Sequence, residues 1–255
     1  MNSDYNSQRD GLSTFLQPSS IAKYNKDISK IYKELYRLNS NLFILKKLME
    51  FRSDLFLDLI KMDFINLVMI NFTYESCLIC TKLTTDKRDT HLTLKRFHTW
   101  VRENLLPGHL NSFDKASKDC NIEKTIDLVW EKIRPLRKDY IAHLVIKENI
   151  IVPQETGTAY EDLRVICDQL IKFFNIHSFG CEYKMLPIEY DPNVQHPNDV
   201  DKRPDIEHIL DLLVQDSVLY NLPEKPHFQQ IRPSYPAEWI DLINSYRIKF
   251  GKNTV

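Results

Sequence analysis

The sequence predicts an all-α protein, an up-and-down helical bundle with a C-terminal helical extension. Apolar residues recur at three- and four-residue steps in several long segments, which is the periodicity of amphipathic helices. Alternation of apolar and polar residues, typical of strands, is not sustained anywhere. Five glycines in 255 residues are few for a fold that depends on tight hairpins. Helices joined by short connections are therefore expected.

Two long helices are predicted after a mobile N-terminal arm, residues 1–22, which is polar and lacks periodicity. They open a helical bundle that is expected to cover residues 23–182. The first helix spans about residues 24–51, and the second begins near residue 54 and reaches about residue 82. The apolar face of the first helix is formed by Ile28, Ile31, Tyr32, Leu35 and Leu38.

Three further helices complete the predicted bundle. The third covers about residues 90–106 and is followed by a loop over residues 109–121. The fourth starts near Glu123, and the fifth covers about residues 159–179, after a loop at residues 149–158. Residues 183–255 are predicted as a proline-rich linker and a C-terminal extension, with helices near residues 204–218 and 236–249.

Composition excludes several classes of function. The 34 basic and 35 acidic side chains give a net charge of −1, so a nucleic acid or a membrane would have to be met by a local patch. The chain lacks the glycine-rich motifs of dinucleotide-binding and P-loop folds. No stretch approaches the ~18 uninterrupted apolar residues of a membrane span, so no membrane partner is expected.

The five cysteines are scattered and odd in number, and no signal peptide is evident at the start of the sequence. This pattern favours a reducing, cytoplasmic location. Cys77 and Cys80 form a C-x-x-C pair inside an apolar helical segment, where buried free thiols are expected more than half of a zinc site. Histidines and cysteines are not clustered at ligand spacing, so neither a metal nor a cofactor is predicted.

The segment "IRPLRKDYIAHLV", residues 133–145, places a charged side chain on an apolar helical face. At ~100° per residue, Arg137 lies between Ile133 and Ile141 on that face. An unpaired buried charge is costly, so Arg137 requires a carboxylate partner, a protein interface or an anionic ligand. Pro135 removes one backbone donor and introduces a kink or a restart of the helix.

His143 lies at the edge of the same face, four residues after Asp139. Residues at this spacing meet on one side of a helix, so Asp139 can orient the imidazole and favour its charged form. A purely structural interpretation remains open. In it, Arg137 forms a salt bridge with a neighbouring helix, and His143 is a hydrogen-bonded core histidine.

The R-x(5)-H arrangement of Arg137 and His143 resembles the R-x(4–6)-H signature of the HEPN superfamily. These are helical-bundle proteins common among prokaryotic toxins and antiphage defence ribonucleases. The sequence "LRKDYIAHL" is most similar to that of the abortive-infection, AbiU-like branch. The resemblance covers about residues 25–180, and its specific part is about eight residues long.

The resemblance implies metal-independent cleavage of RNA at a site formed between two copies of the chain. His143 would act as the acid or base, and Arg137 would stabilise the charge on the phosphate. Lys132, Arg134 and Lys138 would add positive charge to the cleft, although they also fit a solvated helix flank. Tyr140 fits packing better than base stacking.

Two classes of function follow from the resemblance. The first is a toxin or defence endoribonuclease that acts as a homodimer, with an antitoxin or another defence protein as a further partner. The second is a non-catalytic module that dimerises or binds RNA or nucleotides in a larger defence complex. A separate basic segment, residues 84–104, is expected to be a solvated helix with Phe97, Trp100 and Val101 facing inward, or a supporting RNA surface.

Overall fold

The computed structural model describes residues 9–51, 63–84, 92–133, 160–179 and 205–255, and within these ranges the protein is an all-α helical bundle, as predicted. The β-structure in these ranges is a single isolated bridge between Leu16 and Leu105. The longer helices are α1 Ile21–Glu50, α2 Asp63–Thr84, α3 Leu94–Asn104, α4 Leu110–Cys120, α5 Ile122–Leu128, α6 Tyr160–Ile176, α7 Asp205–Asp216 and α8 Ala237–Lys249. Shorter helices are Arg9–Leu12, Val218–Asn221, Phe228–Ile231 and the π-helix Val129–Ile133.

The chain divides into two compact units. The first unit comprises residues 1–43 and 70–188, and the second comprises residues 44–69 and 189–255. Each unit is therefore built from two stretches of sequence. Residues 21–43 of α1 belong to the first unit and residues 44–50 to the second.

A continuous apolar stripe on one face of helix α1 packs this helix against its neighbours. Its buried residues follow one another at alternating steps of four and three, the spacing that keeps one face of a helix turned toward its neighbours. Each fully buried side chain of this size contributes ~1.5–3 kcal/mol relative to exposure. The stripe consists of Tyr24, Ile28, Ile31, Leu35, Leu38, Leu42 and Leu45, all nearly inaccessible to solvent.

Charged side chains connect α1 to α2 on the solvent side of the first unit. Arg37 pairs with Glu34 of its own helix and with Glu75 of α2. Lys82 of α2 pairs with Glu34 in turn, and Asn41 donates to the second oxygen of Glu75 at 2.9 Å. Exposed pairs such as these stabilise a fold weakly, so their main effect is to favour one register between the two helices.

The core of the second unit combines the end of α1 and the start of α2 with α7, α8 and the short helix Val218–Asn221. Its buried members are Leu48, Phe51, Ile65, Leu210, Val214, Leu219, Tyr220 and Ile243. The buried guanidinium of Arg247 is satisfied by the Asn253 carbonyl at 2.7 Å and by Glu224 at 3.2 Å. These bonds hold the residues that follow α8 against the unit.

Helix α4, Leu110–Cys120, lies where the sequence pattern predicts a loop over residues 109–121. Helix α4 has few apolar residues, and Asn, Ser, Asp and Lys dominate its sequence. Tertiary contacts stabilise it instead: Phe113 is buried, and Arg102 of α3 forms a two-pronged ion pair with Asp114 at 2.7 and 2.8 Å. The helix ends at Asn121, whose left-handed backbone closes it.

The described part of the predicted N-terminal arm packs against the first unit. Leu12 and Leu16 are buried, and the amide of Gln17 donates to the Asn104 carbonyl at 3.0 Å. The amide of Leu106 donates to Phe15 at 2.8 Å. Two isolated leucines leave no periodic signal in a sequence, so this docking cannot be read from the residues alone.

The α1 stripe predicts a large difference between two leucine substitutions in the first unit. Leu35→Ala should lower the free energy of unfolding by ~2–5 kcal/mol, because it leaves a cavity on the buried face. Leu78→Ala is the matched control, since Leu78 is 40% exposed, and it should cost well under half as much. Urea unfolding followed by circular dichroism measures both. Equal losses would contradict the assignment of the buried face.

Candidate functional site

The residues predicted from the R-x(5)-H motif lie outside the described ranges. They are Arg134, Arg137, Lys138, Asp139, Tyr140 and His143, so their roles remain predictions. The structure does describe the beginning of the predicted fourth helix, which starts at Ile122. Val129 and Ile133 of its apolar face are fully buried.

A π-helix stands directly before the motif. Residues Val129–Ile133 have this wider turn, in which hydrogen bonds join residues five apart rather than four. The regular ~100° step, from which Arg137 is placed on the apolar face, therefore does not hold through these residues. Single π-turns inside helices often accompany functional sites.

The described ranges contain a second group of chemically active side chains, a pair of histidines in the first unit. His177 follows α6 and has no solvent-accessible surface, whereas His98 of α3 is partly exposed. The Nε2 atom of His177 lies 3.0 Å from Nδ1 of His98. The other nitrogen of His177, Nδ1, lies 2.8 Å from the carbonyl oxygen of Phe173.

The hydrogen-bond partners determine which nitrogens carry protons. A carbonyl only accepts, so Nδ1 of His177 must be the donor to Phe173. In the neutral ring Nε2 is then an acceptor, and the proton between the rings belongs to Nδ1 of His98. Neutral His98 consequently has its lone pair on Nε2. The hydrogen-bond network thus determines the tautomer of each ring.

Aromatic rings enclose the histidine pair and account for its burial. Phe173 and Phe113 meet the His177 ring edge-on, with centroids 5.0 and 5.4 Å away. His98 stacks on Phe113 at 4.9 Å. The hydroxyl of Tyr24 donates to the backbone carbonyl of His177, which ties α1 to the end of α6.

Burial lowers the pKa of both histidines. For His177, desolvation is the largest cause, and the nearby His98 adds to it, which brings the pKa to about 3. For His98, desolvation again dominates and lowers the pKa, while the Asp114 carboxylate opposes the shift and Arg102 reinforces it. The pair is therefore neutral at pH 7, and a second proton would place two cations 3.0 Å apart.

Ser117 lies beside His98 but is not arranged as an activated nucleophile. Its Oγ is 3.5 Å from both ring nitrogens of His98. A position equidistant from the two atoms is off the lone-pair direction of either, and the distance is at the limit for a hydrogen bond. The Ser117–His98–His177 set thus lacks the geometry of a catalytic triad.

Cys77 and Cys80 are buried free thiols, as the sequence predicts. Cys167 of α6 is also buried and is close enough to Cys80 to affect its ionisation. Desolvation raises the pKa of Cys77 and of Cys167 to about 12, so both thiols stay protonated near neutral pH. Protonated, buried thiols are poor nucleophiles and poor metal ligands.

Sequence reasoning placed His98 on a solvated helix and did not single out His177. Phe97 and Val101 of α3 are buried as predicted. A signal for His177 was present, because it continues the buried stripe of α6 at steps of three and four. That stripe consists of Leu163, Ile166, Leu170, Phe173 and His177.

Within the described ranges, no group of three or more His, Cys, Asp or Glu side chains is placed to hold a metal ion. Among the helices of the same ranges, none has both the length and the apolar character to cross a bilayer. No protein-family model matches the chain, and no curated protein or solved structure matches it either.

The histidine pair predicts a specific dependence of stability on pH. An unfolded histidine binds its proton near pH ~6.5, whereas folded His177 resists protonation down to about pH 3. Between these values the unfolded state binds more protons, so the free energy of unfolding rises with pH. The slope for this one group should approach ~1.4 kcal/mol per pH unit.

His177→Phe should flatten this slope, although it also destabilises the protein at pH 7 by removing two hydrogen bonds. His227→Gln, which alters an exposed histidine, is the control and should leave the slope unchanged. Urea unfolding at pH values from roughly 4 to 7, above the pKa of folded His177 and spanning that of an unfolded histidine, provides the measurement. An unchanged slope in His177→Phe would show that the histidine does not control acid stability.

Proposed function

We propose that the protein is a metal-independent endoribonuclease of the toxin or antiphage-defence type. The observation that carries the proposal is the pairing of Arg137 with His143 in the sequence, at the spacing of the HEPN signature. The all-helical fold is compatible with it. The π-helix that ends at Ile133, just before the motif, adds a feature often found near functional sites.

The chemistry proposed for these residues uses the 2′-hydroxyl of the RNA itself. His143 takes the proton from this hydroxyl, whose oxygen attacks the adjacent phosphorus. The bond to the 5′-oxygen breaks, and the leaving oxygen receives a proton. Arg137 remains protonated and can bind two phosphate oxygens at once as negative charge develops on them. Asp139 is proposed to orient His143, Arg134 and Lys138 to add positive charge for RNA binding, and Tyr140 to support the site by packing.

An RNA-cleavage assay with purified protein tests this mechanism. Cleavage should persist in EDTA, should yield 2′,3′-cyclic phosphate ends, and should not extend to DNA, which lacks the nucleophile. His143→Ala should lower the rate by ~10²–10⁴-fold, the usual effect of losing a positioned acid or base. Arg137→Lys should also be impaired, because an ammonium cannot reproduce the two-pronged contact of a guanidinium.

Two controls separate catalysis from folding. His227→Ala removes an exposed histidine and should cleave RNA at the wild-type rate. Thermal melting of His143→Ala and Arg137→Lys should match the wild type. Folded variants that still cleave RNA would contradict the assigned roles. Folded wild-type protein that binds RNA without cleaving it would favour the non-catalytic module.

We further propose that the active form is a homodimer in which the motif of each chain contributes to one cleft. The support is the sequence spacing after the π-helix: Arg137 stands four residues from both Ile133 and Ile141 and would share their side of a regular helix. A monomer would then have to bury the charge or expose the apolar face. An antitoxin or another defence protein could bind the same dimer.

Light scattering at micromolar concentration should report a dimer for the wild-type chain. Ile141→Asp, placed on the apolar face beside Arg137, should reduce both the dimer fraction and the RNA-cleavage rate, because it introduces a charge at the interface. Asp241→Ala, an exposed change in the second unit, is the control and should alter neither. A wild-type monomer that cleaves RNA would rule out the dimer.

A further inference from the structure

Helix α7 of the second unit presents an ordered stripe on its solvent side. Asp205, Ile209, Leu212 and Asp216 follow one another at steps of four, three and four residues. At ~100° per residue they lie within ~60° of one another, and the stripe is ~16 Å long. Ile209 is 52% exposed and Leu212 is 64% exposed.

The stripe lies opposite the face that α7 contributes to the core. Leu210, Asp211 and Val214 are buried and fall on the other side of the helix. Within the described ranges, α7 therefore carries apolar residues on two opposite sides, and the core of the second unit takes up the side with Leu210 and Val214. Isolated exposed apolar residues are ordinary, but Ile209 and Leu212 have the i, i+3 spacing of the apolar residues by which helices recognise one another.

The four carboxylates of α7 differ in how they are neutralised. Glu207 pairs with Lys47 at 2.7 Å, and Asp211 pairs with Lys249 at 2.6 Å. Asp205 and Asp216, the two on the stripe, form no ion pair within the part of the chain that the structure describes. Among the described residues, the ion pairs of α7 are therefore made off the stripe, by Glu207 and Asp211.

A second copy of α7 is a poor occupant for this surface. In a parallel helix pair, Asp205 would face Asp205 and Asp216 would face Asp216. In an antiparallel pair, Asp205 would face Asp216. Both orientations oppose like charges, which disfavours association.

We propose that the α7 stripe binds an amphipathic helix of a partner protein whose apolar residues are flanked by lysine or arginine about three turns apart. Leucine-type side chains of that helix would cover Ile209 and Leu212, and its basic residues would pair with Asp205 and Asp216. This proposal does not depend on ribonuclease activity.

The test uses three synthetic alanine-rich helical peptides and isotope-labelled full-length protein. One face of the first peptide carries Lys, Leu, Leu and Lys at the spacing of the stripe. The second has Glu in place of both Lys, and the third has Ala in place of both Leu. Amide chemical shifts of α7, followed by NMR during titration, report binding even when it is weak.

The first peptide should shift the α7 amides, and the other two should bind at least about ten-fold more weakly. The decisive variant reverses both charges, Asp205→Lys with Asp216→Lys, and should prefer the Glu peptide over the Lys peptide. Asp241→Lys adds a basic residue elsewhere on the second unit and should keep the wild-type preference. Circular dichroism should show unchanged helicity in all variants, since every altered residue is exposed.

Absence of binding by the first peptide overturns the proposal. Equal binding of the Lys and Glu peptides also overturns it, because the acidic ends would then have no part in recognition. Sedimentation of the wild type and of Leu212→Asp tests whether a second copy of the chain occupies the stripe instead. A dimer that Leu212→Asp abolishes would assign the stripe to a second copy of the chain and defeat the proposal.

Discussion

The first unit depends on keeping the ring of His177 neutral in a position without solvent access. A buried imidazole is tolerated when each nitrogen has a hydrogen-bond partner, and here the partners are the Phe173 carbonyl and His98. This requirement fixes the orientation of both rings and so the approach of α3 to α6. The bond from Tyr24 to the His177 carbonyl adds α1 to the same point. These hydrogen bonds thus connect α1, α3 and α6 inside the core of the first unit.

Much of the fold could be predicted because the long helices carry their own signal. The four-and-three spacing of α1 and α6 is visible in the sequence, and both helices appear where it indicates. Helix α4 shows why other parts could not be predicted, since polar residues dominate its sequence while Phe113 and the Arg102–Asp114 pair contact other elements. The contact of His98 with His177 joins residues 79 apart in sequence, which no local pattern reveals.

The candidate RNA-cleavage site shows a different limit of sequence reasoning. The chemical identity of Arg137 and His143 can be read directly, but their directions depend on every turn that precedes them. Helical-wheel placement assumes an even step, and the π-helix Val129–Ile133 interrupts that step immediately before the motif. Pro135, two residues after the π-helix, has no backbone N–H to donate. The residues of the motif are therefore better evidence for the type of chemistry than for the face on which it takes place.

The buried pair of His98 and His177 also bears on which residue could transfer protons to RNA. An efficient acid or base has a pKa near the working pH, so that both protonation states are accessible. The pKa of His177 is about 3, so at neutral pH its ring does not take up a second proton that it could donate. Both of its nitrogens are already hydrogen-bonded, to Phe173 and to His98, so the ring cannot reach a substrate. The Nδ1 atom of His98 is hydrogen-bonded to His177 in the same pair. The contacts of His177 are those of a buried structural residue, and the acid–base role proposed for His143 remains a prediction from the sequence.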